Sequence, residues 1–235
     1  MDKEEAKLIL KIQEIDLDIE RLNKRIKAIK EEARRLEEQL SSLYKEKELL
    51  LKRKEELENL KKQLREEIRE AEEKLEKTEE KLTKVTRDVE YKALLREKAK
   101  LEDTILKKSY ELDEVEKEIE KLAKEIEEKV PKLEKEIRQL EEELKDLELE
   151  EKVAHEKLHE YAQKREETKK EMPEHILRFY ESAKEYYEGF VLVPVEEEAC
   201  SGCGIKIPNV LLTKMLKENS IERCPSCGRF IYYKL

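Results

Sequence analysis

Tryptophan is absent from this 235-residue chain, there are only three phenylalanines and four glycines, and aromatic residues make up 5% of it. A single globular core of that length cannot be filled from so small a supply of large apolar side chains. No apolar run approaches the roughly 18 residues needed to cross a membrane, which predicts a soluble, cytoplasmic protein. Cysteine is missing from the first 199 residues, and Met1-Asp2-Lys3-Glu4-Glu5-Ala6-Lys7 is charged and runs straight into a helical pattern instead of an export signal. Structural disulfides, which need an oxidising compartment, are therefore not expected.

Charge is abundant: 48% of the residues are Asp, Glu, Lys or Arg, with a net charge of −9. Such a composition suits disorder, but disorder lacks periodic apolar positions, and here they are strongly periodic. A Lys/Glu/Leu-rich chain with a sustained helical period reads as coiled coil. All four Gly, all three Phe and all four Cys lie after residue 178, so a long helical part precedes a small compact one. Residues 1–188 carry 46 Lys and Arg against 56 Asp and Glu, a net −10. From residue 199 onward, Lys206, Lys214, Lys217, Arg223, Arg229 and Lys234 outnumber Glu218 and Glu222, a net +4. That contrast makes the C-terminal part the better candidate for contact with nucleic acid.

Core positions step by alternating four and three through Leu8, Ile12, Ile15, Ile19, Leu22, Ile26, Ile29, Ala33, Leu36, Leu40 and Leu43. The register continues through Leu50, Leu57, Leu64, Ile68, Ala71, Leu75, Leu82 and Val85. This predicts one helix of about eleven heptads, roughly 115 Å long. Lys47, Lys54 and Lys61 interrupt the stripe, with Leu51 and Leu60 as candidate substitutes. A second stripe, from Tyr91 and Leu94 to Leu158 and Tyr161, supplies a partner within the same chain. The polar, β-branched stretch from Thr83 to Asp88 is the best turn, with Asp88 as cap of the returning helix. An antiparallel hairpin folded there brings together residues whose numbers sum to about 172, which sets Pro131 against Ser41-Ser42 and predicts a bend near 41 and 131. An intermolecular coil is the alternative.

The chemistry is concentrated in Cys200-Ser-Gly-Cys203 and Cys224-Pro-Ser-Cys227, two CxxC knuckles twenty residues apart. Each knuckle converges two thiolates on one ion, and two complete a tetrahedron with Zn–S bonds of about 2.3 Å. Four sulfurs leave no open coordination position, so one structural zinc is expected, not a catalytic one. A redox CxxC would stand alone in a βαβ setting, which this chain lacks. Ahead of the knuckles, Pro173 opens a helix whose face is Ile176, Leu177, Tyr180, Ala183, Lys184 and Tyr187, ended by Gly189. Phe190 to Val195, Ile205 to Ile207 and Arg229 to Tyr233 read as strands, and Pro208 starts a helix carrying Val210, Leu211, Met215 and Leu216. The resulting plan is mainly α: an antiparallel coiled-coil hairpin over 1–172, a neck helix and strand over 173–198, and an α+β zinc ribbon over 199–235. A 37-residue head holds too little core to fold unaided, so the metal must contribute much of its stability.

His155-Glu-Lys-Leu-His159 matches the HExxH pattern of zinc proteases. It lies on a solvated coil that offers no pocket, and Ala162 and Arg165 stand where the metzincin extension has Gly and His. No nucleophile–base pair or phosphate loop is legible elsewhere, so no enzyme is expected. Tyr180, Tyr186 and Tyr187 read as helix-packing residues in preference to base-stacking ones.

With these parts in place, the chain resembles the bacterial coiled-coil proteins that carry a C-terminal C4-type zinc ribbon. The likeness spans nearly the whole length. Its most specific parts are Cys200-Ser-Gly-Cys203 with Ile207-Pro208 following, Cys224-Pro-Ser-Cys-Gly-Arg229-Phe-Ile-Tyr232, and Glu90-Tyr91-Lys92-Ala93-Leu94. The resemblance implies a helical hairpin with the ribbon at its open end. It also implies a binding role: some members are flagellar regulators that bind and protect the enhancer-dependent sigma factor, and some touch flagellin messenger RNA or export-apparatus components. Many members are known only as candidate nucleic-acid-binding proteins. The expected function is thus that of a non-enzymatic adaptor for partner proteins. The alternative is an RNA- or DNA-binding ribbon that uses Lys206, Lys214, Lys217, Arg223 and Arg229 on phosphates. The oligomeric state, one hairpin or two, is left open.

Overall fold

A computed structural model describes residues 3–233; Lys234, counted above among the basic residues of the head, lies outside them. Two long helices come first, α1 (Lys3–Leu82) and α2 (Asp88–Glu171), followed by α3 (Glu174–Tyr186). The remainder is β1 (Leu192–Glu196), β2 (Ala199–Cys200), α4 (Asn209–Glu218), β3 (Glu222–Arg223) and β4 (Phe230–Tyr232). The chain divides into two compact units, one spanning Arg35–Leu144, the other joining Met1–Arg34 to Lys145–Leu235.

In the first unit α1 and α2 pack antiparallel. Leu57, Leu64, Val115 and Leu122 form a buried cluster, with Leu50, Leu112, Ile119 and Ile126 against it. The stripe read from sequence is the packed one, and Lys47 and Lys61 fit into it because their ammonium groups reach Glu134 (2.7 Å) and Glu116 (3.1 Å) across the pair. Leu51 and Leu60 do not substitute for them; both are exposed, as is Tyr91. Thr78, unremarked in the sequence, is 2% exposed and satisfies its hydroxyl by donating to the Lys74 carbonyl at 2.9 Å.

The register differs from the expected one. Across the two helices Lys61 pairs with Glu116 and Lys47 with Glu134, and their numbers sum to 177 and 181, not 172. Thr83 and Val85 still donate backbone bonds to Glu79 and Lys81, so the path of α1 carries on to Val85, which lines a cleft with Ala93 and Leu94. The first turn of α2 is left projecting. Asp88 opens that turn and accepts from Lys92 at 2.8 Å, while the Arg87 carbonyl takes the Tyr91 amide. Ser42 accordingly shares a groove with Gln139 and Leu140, and Pro131 sits inside α2 away from Ser41-Ser42.

The second unit is built on the start of α1. Ala6, Ile9 and Ile12 bury themselves against Met172, Ile176, Tyr180 and Ala183 of the α2–α3 region and against Val191 and Leu192. Pro173 precedes α3, where its missing N–H leaves no orphan donor. Four strands form one sheet in the order β2-β1-β4-β3, with β1 and β4 parallel and the outer pairs antiparallel. The neck strand is therefore an inner strand of the ribbon's own sheet. The expected strand at 205–207 reduces to a single bridge between Ala199 and Lys206. On α4 the buried residues are Leu212 and Met215, while Val210 and Leu216 are exposed.

Glu197 and Glu198 link β1 to β2 with φ of 49° and 62°. Two consecutive left-handed residues in a two-residue hairpin loop make a type I′ turn, for which Asn-Gly is the favoured pair. Replacing Glu197→Asn together with Glu198→Gly is expected to stabilise the head by about 1 kcal/mol, read as a raised denaturation midpoint.

Candidate metal centre

The first cysteine pair sits on a tight loop that leaves β2, and the second on the loop between β3 and β4. The Sγ atoms of Cys200, Cys203, Cys224 and Cys227 all lie within 4.8 Å of one another. Cys200 and Cys227 are 3.9 Å apart and Cys203 and Cys224 3.8 Å. A tetrahedron of sulfurs with Zn–S bonds of about 2.3 Å has edges of about 3.8 Å, so the spacing fits a tetrahedral ion. It is far too long for a disulfide at about 2.05 Å, and all four thiols are free. The four cysteines form a C4 zinc site for one structural ion.

The two knuckles are built alike. Gly204 donates to the Cys200 carbonyl at 2.7 Å and Gly228 to the Cys224 carbonyl at 2.9 Å. Both glycines have positive φ, 72° and 76°. That conformation turns the next amide back toward sulfur: Ile205 N–H onto Cys203 and Arg229 N–H onto Cys227. Such donors are what steady thiolates around a metal. Burial pushes the Cys200 thiol up to about 12, against the pull of the Gly202 and Cys203 amides. Burial acts the same way on Cys227, but the Arg229 amide and guanidinium outweigh it and bring that thiol down to about 7.

A Cβ on Gly228 would meet the Tyr187 hydroxyl at 2.9 Å, whereas one on Gly204 would meet nothing within 4 Å. Gly204→Ala should therefore cost only its backbone strain, about 1 to 2 kcal/mol. Gly228→Ala should be clearly worse, a ranking that parallel urea melts of the two variants would check.

Most of the basic residues of the head are already engaged within it. Arg229 donates to the carbonyls of Phe190 (3.0 Å), Gly202 (3.3 Å) and Tyr187 (3.4 Å) and stacks over the Tyr187 ring. It ties the first knuckle to the end of α3. Arg223 lies over Phe230 and Lys214 is held by Glu222 at 2.7 Å, while Lys206 and Lys217 stay exposed. Tyr180 is fully buried and Tyr187 half-buried, as a packing role requires, but Tyr186 is 79% exposed. His155 and His159 are exposed, and their ring nitrogens meet Glu151 and Gln163 one turn away on the same helix.

Two side chains that sequence reasoning missed hold the site in place. Gln13, 5% exposed, accepts from the backbone N–H groups of Val191 (2.8 Å) and Leu192 (2.9 Å) and donates to the Leu192 carbonyl (2.9 Å). Three hydrogen bonds from one amide thus fix β1 onto α1. Asp16, also 5% exposed, accepts from Arg165 (2.5 Å), Lys184 (2.8 Å) and the Tyr180 hydroxyl (2.9 Å). Arg165 in turn reaches Glu181 at 2.8 Å. Burial pushes the Asp16 carboxyl up, but Arg165, Lys184 and Tyr180 outweigh it and hold it below its ordinary value. The signal was a polar pair, Gln13 and Asp16, threaded between Ile9, Ile12 and Ile15.

Fold and site together define a C4-type zinc ribbon carried on a pair of long helices. Sequence comparison agrees: the C4-type zinc ribbon domain matches residues 199–231. Among curated proteins none matches the chain. Among solved structures, CT398 from Chlamydia trachomatis is similar over 98% of both chains at 19% identity, with a TM-score of 0.73. A protein from Mycobacterium smegmatis is similar over the same shares at 17% identity and a TM-score of 0.73. The HP0958 protein from Helicobacter pylori covers 99% of this chain and 98% of its own, at 21% identity and a TM-score of 0.51. These likenesses establish the fold. No helix among the described residues is long and apolar enough to cross a membrane.

Proposed function

We propose that this chain is a cytoplasmic, non-enzymatic adaptor whose ribbon docks a partner protein. The carrying observation is the immobilisation of the ribbon on the helices by Gln13 and Arg229, which makes the head a rigid platform. A four-thiolate ion has no vacant position for substrate, which supports binding over catalysis. The resemblance noted above names the client class: an enhancer-dependent sigma factor, or a flagellar or secretion component. Contact with RNA or DNA is the weaker reading, because Arg229, Arg223 and Lys214 already have partners within the head, leaving few free cations for phosphate.

The test is isothermal titration of the zinc-loaded full chain with the sigma factor of the same cell, repeated with the Cys224→Ser, Cys227→Ser variant. Saturable binding that the variant loses supports the platform. Absence of binding, together with an RNA or DNA gel shift that weakens steeply with salt, would transfer the role to nucleic acid.

A further inference from the structure

The stretch from Lys81 to Lys100 carries seven basic residues and three acidic ones, a net +4, within a segment 1–188 whose net is −10. Without that stretch the segment stands at −14. The reversal of sign falls on the turn between α1 and α2. The same turn exposes apolar surface: Val89 is 80% exposed, and Tyr91 and Leu95 are exposed beside it. A cleft of about 490 Å³ opens there, lined by Val85, Ala93 and Leu94 together with Lys81, Lys84 and Glu90.

Folding alone accounts for little of this. A link between two helices is served by short polar residues and glycine, and an exposed valine and tyrosine contribute nothing to closing it. The cations are also unusual for this chain. Arg87, Lys92 and Lys98 are paired with Glu90, Asp88 and Glu79, but Lys81, Lys84 and Arg96 have no carboxylate partner among the described residues. Two unpaired positive charges, Lys81 and Lys84, line the notch between the two helices, and the carboxylate in its lining, Glu90, is held by Arg87.

We propose that this turn is a second docking surface, and that its occupant is an acidic amphipathic helix of a partner protein. A third helix laid in the cleft extends the packing of the first two, with apolar anchors at i, i+3, i+4 and i+7 toward Val85, Ala93 and Leu94. Its carboxylates meet Lys81 and Lys84, which steer the encounter and fix polarity. Nucleic acid fits less well, since phosphates leave an apolar cleft unfilled and a net +4 is short of the usual basic footprint. A flat anionic bilayer reaches Val89 and Tyr91 but not the walls of the cleft. The surface adds to the adaptor reading and is independent of the ribbon.

The probe is a fluorescein-labelled peptide of roughly 20 residues with leucine at the helical anchor spacing and glutamate elsewhere, measured by anisotropy against the zinc-loaded full chain. A scrambled peptide of identical composition, an oligouridine RNA, and phosphatidylcholine vesicles with and without phosphatidylglycerol run alongside. The patterned peptide should bind at least about tenfold tighter than the scrambled one and weaken with salt. Lys81→Glu with Lys84→Glu should lower its affinity about tenfold or more, whereas the same charge change at Lys121→Glu with Lys135→Glu should not. Val89→Asp, at a solvated position that leaves the hairpin folded, should also weaken it. Equal binding of the two peptides, indifference to the turn substitutions, or dependence on those residues for RNA or vesicles instead would each overturn the proposal. Loss of the ribbon's client through the cysteine variant leaves this result untouched, so the two readings fail separately.

Discussion

Chelating the metal from the purified full chain is expected to unfold the ribbon while the helices of the Arg35–Leu144 unit persist. The ribbon's apolar cluster consists of Val193, Val195, Ile207, Leu212, Met215 and Ile231 around Cys200 and Cys224. A cluster that size supplies little against the entropy of ordering the head, whereas binding of a structural zinc contributes on the order of 10 kcal/mol. Hydrogen exchange should show amides of β1 and β4 losing protection on chelation, with those around Leu57 and Val115 unchanged. Elemental analysis should return one zinc per chain beforehand. Retained protection of β4 in metal-free protein would refute the expectation. Acid should act as chelator does: the ligands must be thiolates, and metal-free Cys200, pushed up to about 12, holds its proton at neutrality, so zinc displaces it and affinity falls as pH falls.

Asp16→Ala should destabilise the unit that carries the ribbon by about 2 to 3 kcal/mol, because Arg165 would keep only Glu181 while Lys184 and the buried Tyr180 hydroxyl would lose their acceptor. Replacing Asp16, Arg165, Lys184 and Tyr180 together by apolar residues of similar volume should cost much less, and chemical melts of both variants decide it. The sign with pH follows from the depressed carboxyl. A group held low in the folded chain contributes stability that is fully present above its unfolded value, about 3.9, and is lost as pH drops through the folded value. Wild type should therefore loosen around α3 only below about pH 4, and Asp16→Ala should lack that acid transition.

The metal ligands and both helical stripes were legible because each rests on spacing alone: two CxxC pairs and apolar steps of three and four. Pairing register was not legible. It depends on where the hydrogen-bonded path of α1 stops, and that path carries on past Leu82 to Val85, moving every facing residue along α2. Gln13 and Asp16 escaped for a different reason. A polar residue on an apolar stripe looks like an interruption until its partners, here 149 to 179 residues away, are brought to it. Which face of α4 is covered was not legible, because Val210 and Leu216 are apolar yet exposed, and ten residues are too few for periodicity to separate the covered side from the open one. Arg229, grouped with the cations that bind outward, turns inward onto the backbone carbonyls of Phe190, Gly202 and Tyr187, which the fold alone brings to it.

The inner position of β1 has a practical consequence. The matched ribbon begins at residue 199, yet β4 pairs on one side with Leu192 to Pro194, which precede it. A fragment cut at Ala199 would lose that strand, baring one flank of β4 and the side of Ile231 that Val193 shields. Such a piece would still chelate an ion yet adhere to its neighbours through the open edge. Whoever wishes to transplant the metal-binding tip should begin upstream of Val191 and bring along a surrogate for the glutamine that braces it.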